Sequence, residues 1–131
     1  MQKRVLLIDD DPIFTERLRR ALGADVNLNV VSVTDNVLDV CSDWAPDLIV
    51  LDVLLAPGDP FKVLDEICSR QMHAQTAVLC LSRGAGSTTR LQRFGGAVFG
   101  ALKREIGTDD LRSTIADALG LTSGTLDPVA A

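Results

Sequence analysis

The fold class this sequence predicts is an open, doubly wound α/β sheet of five parallel strands, and three observations predict it. The runs Arg4–Ile8, Leu48–Leu51 and Thr76–Leu81 are almost wholly apolar, as strands buried on both faces of a parallel sheet are. Such runs alternate with segments whose apolar residues recur at helical spacing, through mostly short connections. The strands also end on groups with no packing use: Asp9 and Asp10, Asp52, Ser82 and Lys103. The right-handed crossover rule then selects the strand order 2-1-3-4-5.

The elements follow in order. Arg4–Ile8 is the first strand. Asp11 suits a helix N-cap and Pro12 the first turn after it. Ile13, Phe14, Leu18, Ala21 and Leu22 give that helix one apolar stripe, and Gly23 ends it. Leu28–Val33 alternates as a strand. Thr34 or Asp35 opens a helix with Val37, Cys41 and Trp44 on one face, and Pro46 closes it before the strand that ends at Asp52. Ala56-Pro57-Gly58-Asp59-Pro60 is turn-rich, and Phe61, Val63, Leu64, Ile67 and Cys68 form the next helical stripe. Thr76–Leu81 ends on Ser82. A glycine-containing loop at 83–87 and a short helix through Leu91 and Phe94 lead to Gly95-Gly96. Ala97–Leu102 is the fifth strand, ending at Lys103. Thr108 or Asp109 caps a last helix with Leu111, Ile115, Ala118 and Leu119 inward and Gly120 at its end. Residues 1–121 read as one domain and 122–131 as an unstructured tail or linker remnant.

Composition narrows the function. At 131 residues the chain has room for one domain with a substantial core. The formal net charge is −5 and the basic residues are scattered, which gives no nucleic-acid face. No apolar run reaches the length of a membrane span, and the first strand starts at once, without a signal peptide. Cys41, Cys68 and Cys80 lack metal-site spacing and fall in apolar patterns, so they read as buried thiols of a reducing, cytoplasmic compartment.

In the predicted order the first and third strands are neighbours at the switch point, where ligands of such sheets bind. Asp9, Asp10 and Asp52 therefore crowd into one small volume. Like charges that close repel, and a divalent cation relieves the repulsion. Carboxylate oxygens with retained water describe a Mg2+ site. Ser82 as donor and Lys103 as cation complete a pocket for a tetrahedral dianion. The implied chemistry is nucleophilic attack by Asp52 to give an aspartyl phosphate.

Val5-Leu-Leu-Ile-Asp9-Asp10-Asp11-Pro12, Pro46-Asp47-Leu-Ile-Val-Leu-Asp52, Leu79-Cys-Leu-Ser82, and Gly96-Ala97 followed by Lys103 resemble, in order and spacing, the blocks of response regulator receiver domains of two-component systems, over about residues 3–120. The resemblance implies a flavodoxin-like (βα)5 fold with Asp52 as phosphoacceptor. It also implies Mg2+ on Asp9, Asp10, Asp52 and a backbone carbonyl at Leu54 (or its neighbour Val53), with Ser82 and Lys103 as the phosphate-binding switch pair. The phosphodonor would be a histidine kinase or histidine phosphotransfer protein. The signal would leave through the face of the fourth helix, fifth strand and fifth helix, here Leu91, Arg93, Phe94, Phe99, Arg104 and Arg112. That face is also a candidate homodimer interface.

The chain departs from the family at several positions. Arg104 follows Lys103 where the family has proline, which removes the usual reason for a cis peptide. Ala56 and Asp59-Pro60 replace a proline and an Asp-Gly. Gly100 stands where a switch aromatic is usual, and Phe99, one place earlier, is the candidate substitute; one residue of slip moves a side chain to the other face of a strand. Arg83 takes a small residue's place and is a candidate gate on Asp52. Leu54, two after the acceptor, offers no polar group to an attacking water, which predicts slow self-dephosphorylation.

Two rival functions use the same residues. A phosphate-independent interaction module accommodates the altered switch residues. A phosphatase of the haloacid dehalogenase type would use Asp9 as nucleophile in Asp9-x-Asp11, with Ser82, Lys103 and Asp109-Asp110 as its later motifs, but it leaves Asp52 unexplained. His73, solitary in a polar connection, and the glycines at 84 and 86, which lack a Walker lysine, carry no site.

Overall fold

The computed structural model describes residues 2–24, 26–32, 36–53, 60–82 and 91–121. Five strands, β1 (Lys3–Ile8), β2 (Val26–Val31), β3 (Leu48–Asp52), β4 (Ala77–Ser82) and β5 (Gly100–Lys103), form one parallel sheet in the order β2-β1-β3-β4-β5. The predicted topology is the observed one. Around the sheet lie α1 (Pro12–Leu22), α2 (Val37–Trp44), α3 (Pro60–Ser69) and a C-terminal helix, Thr108–Ala118. The predicted tail, the gate residue Arg83, the metal-ligand position Leu54, the proposed start of α2 at Thr34 or Asp35, and most of the predicted fourth helix lie outside the described residues.

The two-residue period of the strands sorts the core into two layers. Val5, Leu7, Leu48, Val50, Leu79 and Leu81 face α1 and the C-terminal helix, meeting Phe14, Leu18, Leu22, Leu111 and Ile115. Leu6, Ile8, Ile49, Leu51, Val78 and Cys80 face the other way, onto Val37, Cys41, Phe61, Leu64 and Ile67 of α2 and α3. Both faces of β1, β3 and β4 are thereby covered, which is why these strands carry almost no polar residue before their ends.

The helix ends show which signals act. Asp11 caps α1, its side chain accepting from the Ile13 N–H at 2.9 Å. Gly23 closes α1 at φ 73°, a left-handed conformation that favours glycine. The C-terminal helix starts differently from expectation: Gly107 is its N-cap, and Thr108, Asp109 and Asp110 form its first turn. There the two carboxylates favour the helix dipole. β5 is also shorter than predicted, because residues 92–97 form 3-10 turns kinked at Gly95, φ 55°.

All three cysteines are free thiols. Burial raises Cys41 to about 11 and Cys80 to about 12, and raises Cys68, beside Asp65, to a smaller extent. Thiols so held are poor nucleophiles. Among the described residues, no helix is long and apolar enough to cross a membrane.

Candidate functional site

β1 and β3 are adjacent, with Ile8 opposite Leu51, so their next residues, Asp9 and Asp52, arrive together at the carboxyl edge of the sheet. The Asp9 N–H continues the ladder to the Val31 carbonyl at 3.1 Å, and the Val53 N–H continues it to the Leu81 carbonyl at 3.2 Å. Both carboxylates follow the parity of the α1-facing layer: 5, 7, 9 on β1 and 48, 50, 52 on β3. Their side chains are 0% exposed. Burial raises the pKa of Asp9, although the Asp11 N–H, donating to Asp9 Oδ1 at 3.1 Å, and the Arg104 charge oppose it. Asp9 Oδ2 is buried and has no hydrogen-bond partner among the described residues.

The cation that meets these carboxylates is Arg104. Its Nη1 donates to Asp52 Oδ2, its Nη2 donates to Asp11 Oδ2, and Nη2 lies 3.7 Å from Asp9 Oδ2. The Arg104 side chain is only 14% exposed. For Asp11 the cost of burial, the largest single influence, is outweighed by the Ile13 N–H and Arg104 acting together, which hold its carboxyl below the ordinary value. Strand parity explains why Arg104 and not Lys103 points here. Leu102 packs into the α1-facing layer, so residue 104 returns to that face while Lys103 turns outward. Lys103 is exposed and forms no ion pair or hydrogen bond among the described residues.

Arg104 is held from behind as well as from the front. Arg17 of α1 donates Nη1 to the Arg104 carbonyl at 2.6 Å and Nη2 to the Ile106 carbonyl. Both guanidiniums lie over the Phe14 ring, with Arg104 Cζ at 5.7 Å and Arg17 Cζ at 5.8 Å from its centroid. Two cations share one aromatic side chain, an arrangement favoured by the ring's quadrupole.

The other expected site residues divide. Ser82 is buried at the end of β4, opposite Lys103 in the register. Asp10 is exposed at the rim. Phe99 precedes β5 and is 53% exposed, its N–H donating to the Val78 carbonyl at 2.7 Å. Val78 is four residues before Ser82, so Phe99 sits roughly 13 Å from the carboxylate edge at about 3.3 Å per residue. It lines a shallow cavity with Lys3, Asp47, Thr76 and Leu119 at the other end of the sheet. Of the residues assigned by sequence to the signalling face, Leu91 is buried, Arg112 donates to the Ala21 carbonyl, and Arg104 is withdrawn into the pocket. Arg93 and Phe94 stack at 4.6 Å, and Arg93 pairs with Asp65.

The family model for the response regulator receiver domain matches residues 5–116. The chain belongs to this family. The C4-dicarboxylate transport transcriptional regulatory protein DctD of Pseudomonas aeruginosa is 33% identical over 124 residues, covering 90% of this chain and 25% of its own length. The positive alginate biosynthesis regulatory protein of the same organism is 26% identical over 118 residues, covering 87% of this chain and 46% of itself. The chain thus spans a quarter to about half the length of these curated relatives. Among solved structures, a CheY-like receiver domain protein from Methanospirillum hungatei superposes with a TM-score of 0.76 at 15% identity, covering 92% of this chain and 95% of its own. A receiver protein from Burkholderia phymatum gives 0.73 at 19% identity, covering 92% and 98%. These similarities establish the receiver fold.

Proposed function

We propose that this receiver domain accepts a phosphoryl group on Asp52 from a phosphohistidine of a histidine kinase or phosphotransfer protein. The observation that supports it most is a wholly buried carboxylate, Asp52, at the switch point of the sheet beside Asp9, whose Oδ2 lacks a hydrogen bond among the described residues. A buried carboxylate pair is costly unless it serves a bound cation or a reaction. An Asp52 oxygen attacks phosphorus, a P–O bond forms as the donor's P–N bond breaks, and the freed imidazole takes up a proton.

Among the described residues no three ligating side chains are already gathered as a metal site; Asp9 Oδ2 and the adjoining Asp52 would supply the first oxygen donors to Mg2+, with Asp10 at the rim reaching it through water. Bound there, the metal would neutralise charge on the transferring phosphoryl oxygens. Ser82 supplies a hydroxyl from β4. Lys103, turned outward in this state, reaches a phosphoryl oxygen only by swinging inward, and the ordering of Ser82 and Lys103 about the dianion is the proposed switch. We read residues 1–121 as the receiver unit, acting in the cytoplasm, with 122–131 as a linker or tail. Exposed Arg93 and Phe99, with half-buried Phe94 between them in the chain, are the proposed site of self-association.

The test is intact-mass spectrometry after incubation with acetyl phosphate, with and without Mg2+. A Mg2+-dependent gain of one phosphoryl group, lost in Asp52→Asn, is expected. An adduct retained in Asp52→Asn but lost in Asp9→Asn would indicate the phosphatase chemistry, although Asp109 and Asp110 begin a helix and end no buried strand. A phosphate-independent module is the reading favoured by the ion pairs of Arg104, which already offset part of the pocket's negative charge; no adduct under any condition would select it. Because Leu54 cannot orient water, the phosphorylated protein should outlast a half-life of seconds, and Leu54→Asn should shorten its lifetime. Decay of the adduct by intact mass measures both.

A further inference from the structure

We propose that Arg104 is a tethered counter-ion that occupies the carboxylate pocket of the resting protein and competes with the divalent cation for it. The proposal rests on the phosphoacceptor reading for its purpose, and on the geometry of Arg104 for its content.

Three observations carry it. Arg104 meets all three buried or half-buried carboxylates at the edge, Asp9, Asp11 and Asp52, with one guanidinium. The Asp52 oxygen that it binds, Oδ2, belongs to a side chain with no exposed surface, so the guanidinium engages the acceptor itself. Its own backbone is fastened by Arg17 through the carbonyls of residues 104 and 106, and its side chain lies over Phe14. The arginine is thus delivered to the pocket by a built cradle.

A guanidinium and a hard divalent ion cannot use the same oxygens together. Both need the Asp52 carboxylate, and two cations in one small volume repel. Arg104 is a long side chain anchored at the turn after β5, so it can leave by side-chain rotation while Arg17 keeps the turn in place. The Asp9 carboxylate is only partly served by it: at 3.7 Å, without a hydrogen bond among the described residues, Asp9 Oδ2 is the point at which an incoming cation gains most. Metal entry and Arg104 exit then form one exchange. When the competent state is a minor one, apparent affinity falls by its fraction. The resting chain should therefore bind Mg2+ weakly, and loss of Arg104 should tighten binding.

The experiment is isothermal titration calorimetry of Mg2+ into the wild type, Arg104→Ala and Arg104→Gln at pH 7, with circular dichroism to confirm the fold of each. Gln keeps much of the side-chain bulk over Phe14 without the charge. We expect both variants to bind Mg2+ at least about tenfold more tightly than the wild type, the factor corresponding to an open fraction of a tenth or less. Equal affinity within about twofold, or weaker binding in the variants, would overturn the competition while leaving a Mg2+-binding wild type and the phosphoacceptor reading intact. Tighter binding without phosphorylation in the intact-mass test would support the competition and remove that reading. No binding by any of the three proteins would overturn it as well, since the pocket would then hold no metal to compete for.

Discussion

Asp9→Asn is expected to stabilise the protein at pH 7 and at the same time to cripple its phosphorylation. The two effects have one origin. Asp9 is buried and its pKa is raised, chiefly by burial. A raised carboxyl pKa means that folding favours the protonated form. Its contribution to stability is complete below about pH 3.8 and is lost as pH rises through the folded-state value. Asparagine removes that ionisation while its Oδ1 still accepts from the Asp11 N–H. It also strands no partner, because Arg104 keeps Asp52 and Asp11. The gain should be on the order of 1 kcal/mol at pH 7 and should vanish toward pH 3, as urea denaturation at the two pH values would show. The phosphorylation rate should meanwhile fall by at least the ~100-fold that losses beyond a metal's direct ligands already reach. A variant destabilised at pH 7 would contradict the assignment of Asp9 as a buried group held for function.

Arg17→Ala should cost about 2–3 kcal/mol, although among the described residues Arg17 pairs with none of the three carboxylates at the site. Its two donors satisfy the carbonyls of Arg104 and Ile106 in the turn between β5 and the C-terminal helix. Charge-assisted hydrogen bonds of this kind contribute roughly 1.5–3 kcal/mol each, and a buried acceptor left without a donor adds its own penalty. Water entry at the part-buried turn offsets some of that loss. Arg17→Lys should recover less than half, since an ammonium cannot span both carbonyls with the planar fork of a guanidinium. The urea midpoint of each variant measures the effect; a change under about 0.5 kcal/mol for Arg17→Ala would mean that the turn holds itself.

Much of this was legible in the sequence. The runs 48–51 and 77–81 could hardly be anything but strands covered on both faces, and Pro12 after Asp11 placed the start of α1 where it lies. The juxtaposition of Asp9 and Asp52 followed from strand order alone. Arg104 did not follow from the ordered motif blocks, because they drew attention to Lys103 and left the next residue among surface positions. The signal was nevertheless present. Leu102 is the apolar residue of Leu102-Lys103-Arg104, and once it is assigned to the α1-facing layer, position 104 shares the face of Asp9 and Asp52. Asp10 escaped for a related reason: a run of three aspartates does not reveal that the first turns inward, the second outward, and the third both caps α1 and binds Arg104. The start of β5 was misplaced because Gly95-Gly96-Ala97-Val98 reads equally as a turn or a strand until the kink at Gly95 is known.

Residence of the phosphoryl group on Asp52 can be read out at single-residue resolution by a chemical trap. Borohydride reduces an acyl phosphate to an alcohol with release of phosphate, so a phosphorylated aspartate becomes homoserine. Protein treated with acetyl phosphate and Mg2+, reduced, digested and sequenced by mass spectrometry should carry homoserine at position 52 and aspartate at positions 9, 10 and 11. Homoserine at position 9 with Asp52 unchanged, or at no position despite a confirmed phosphoryl adduct, would contradict it.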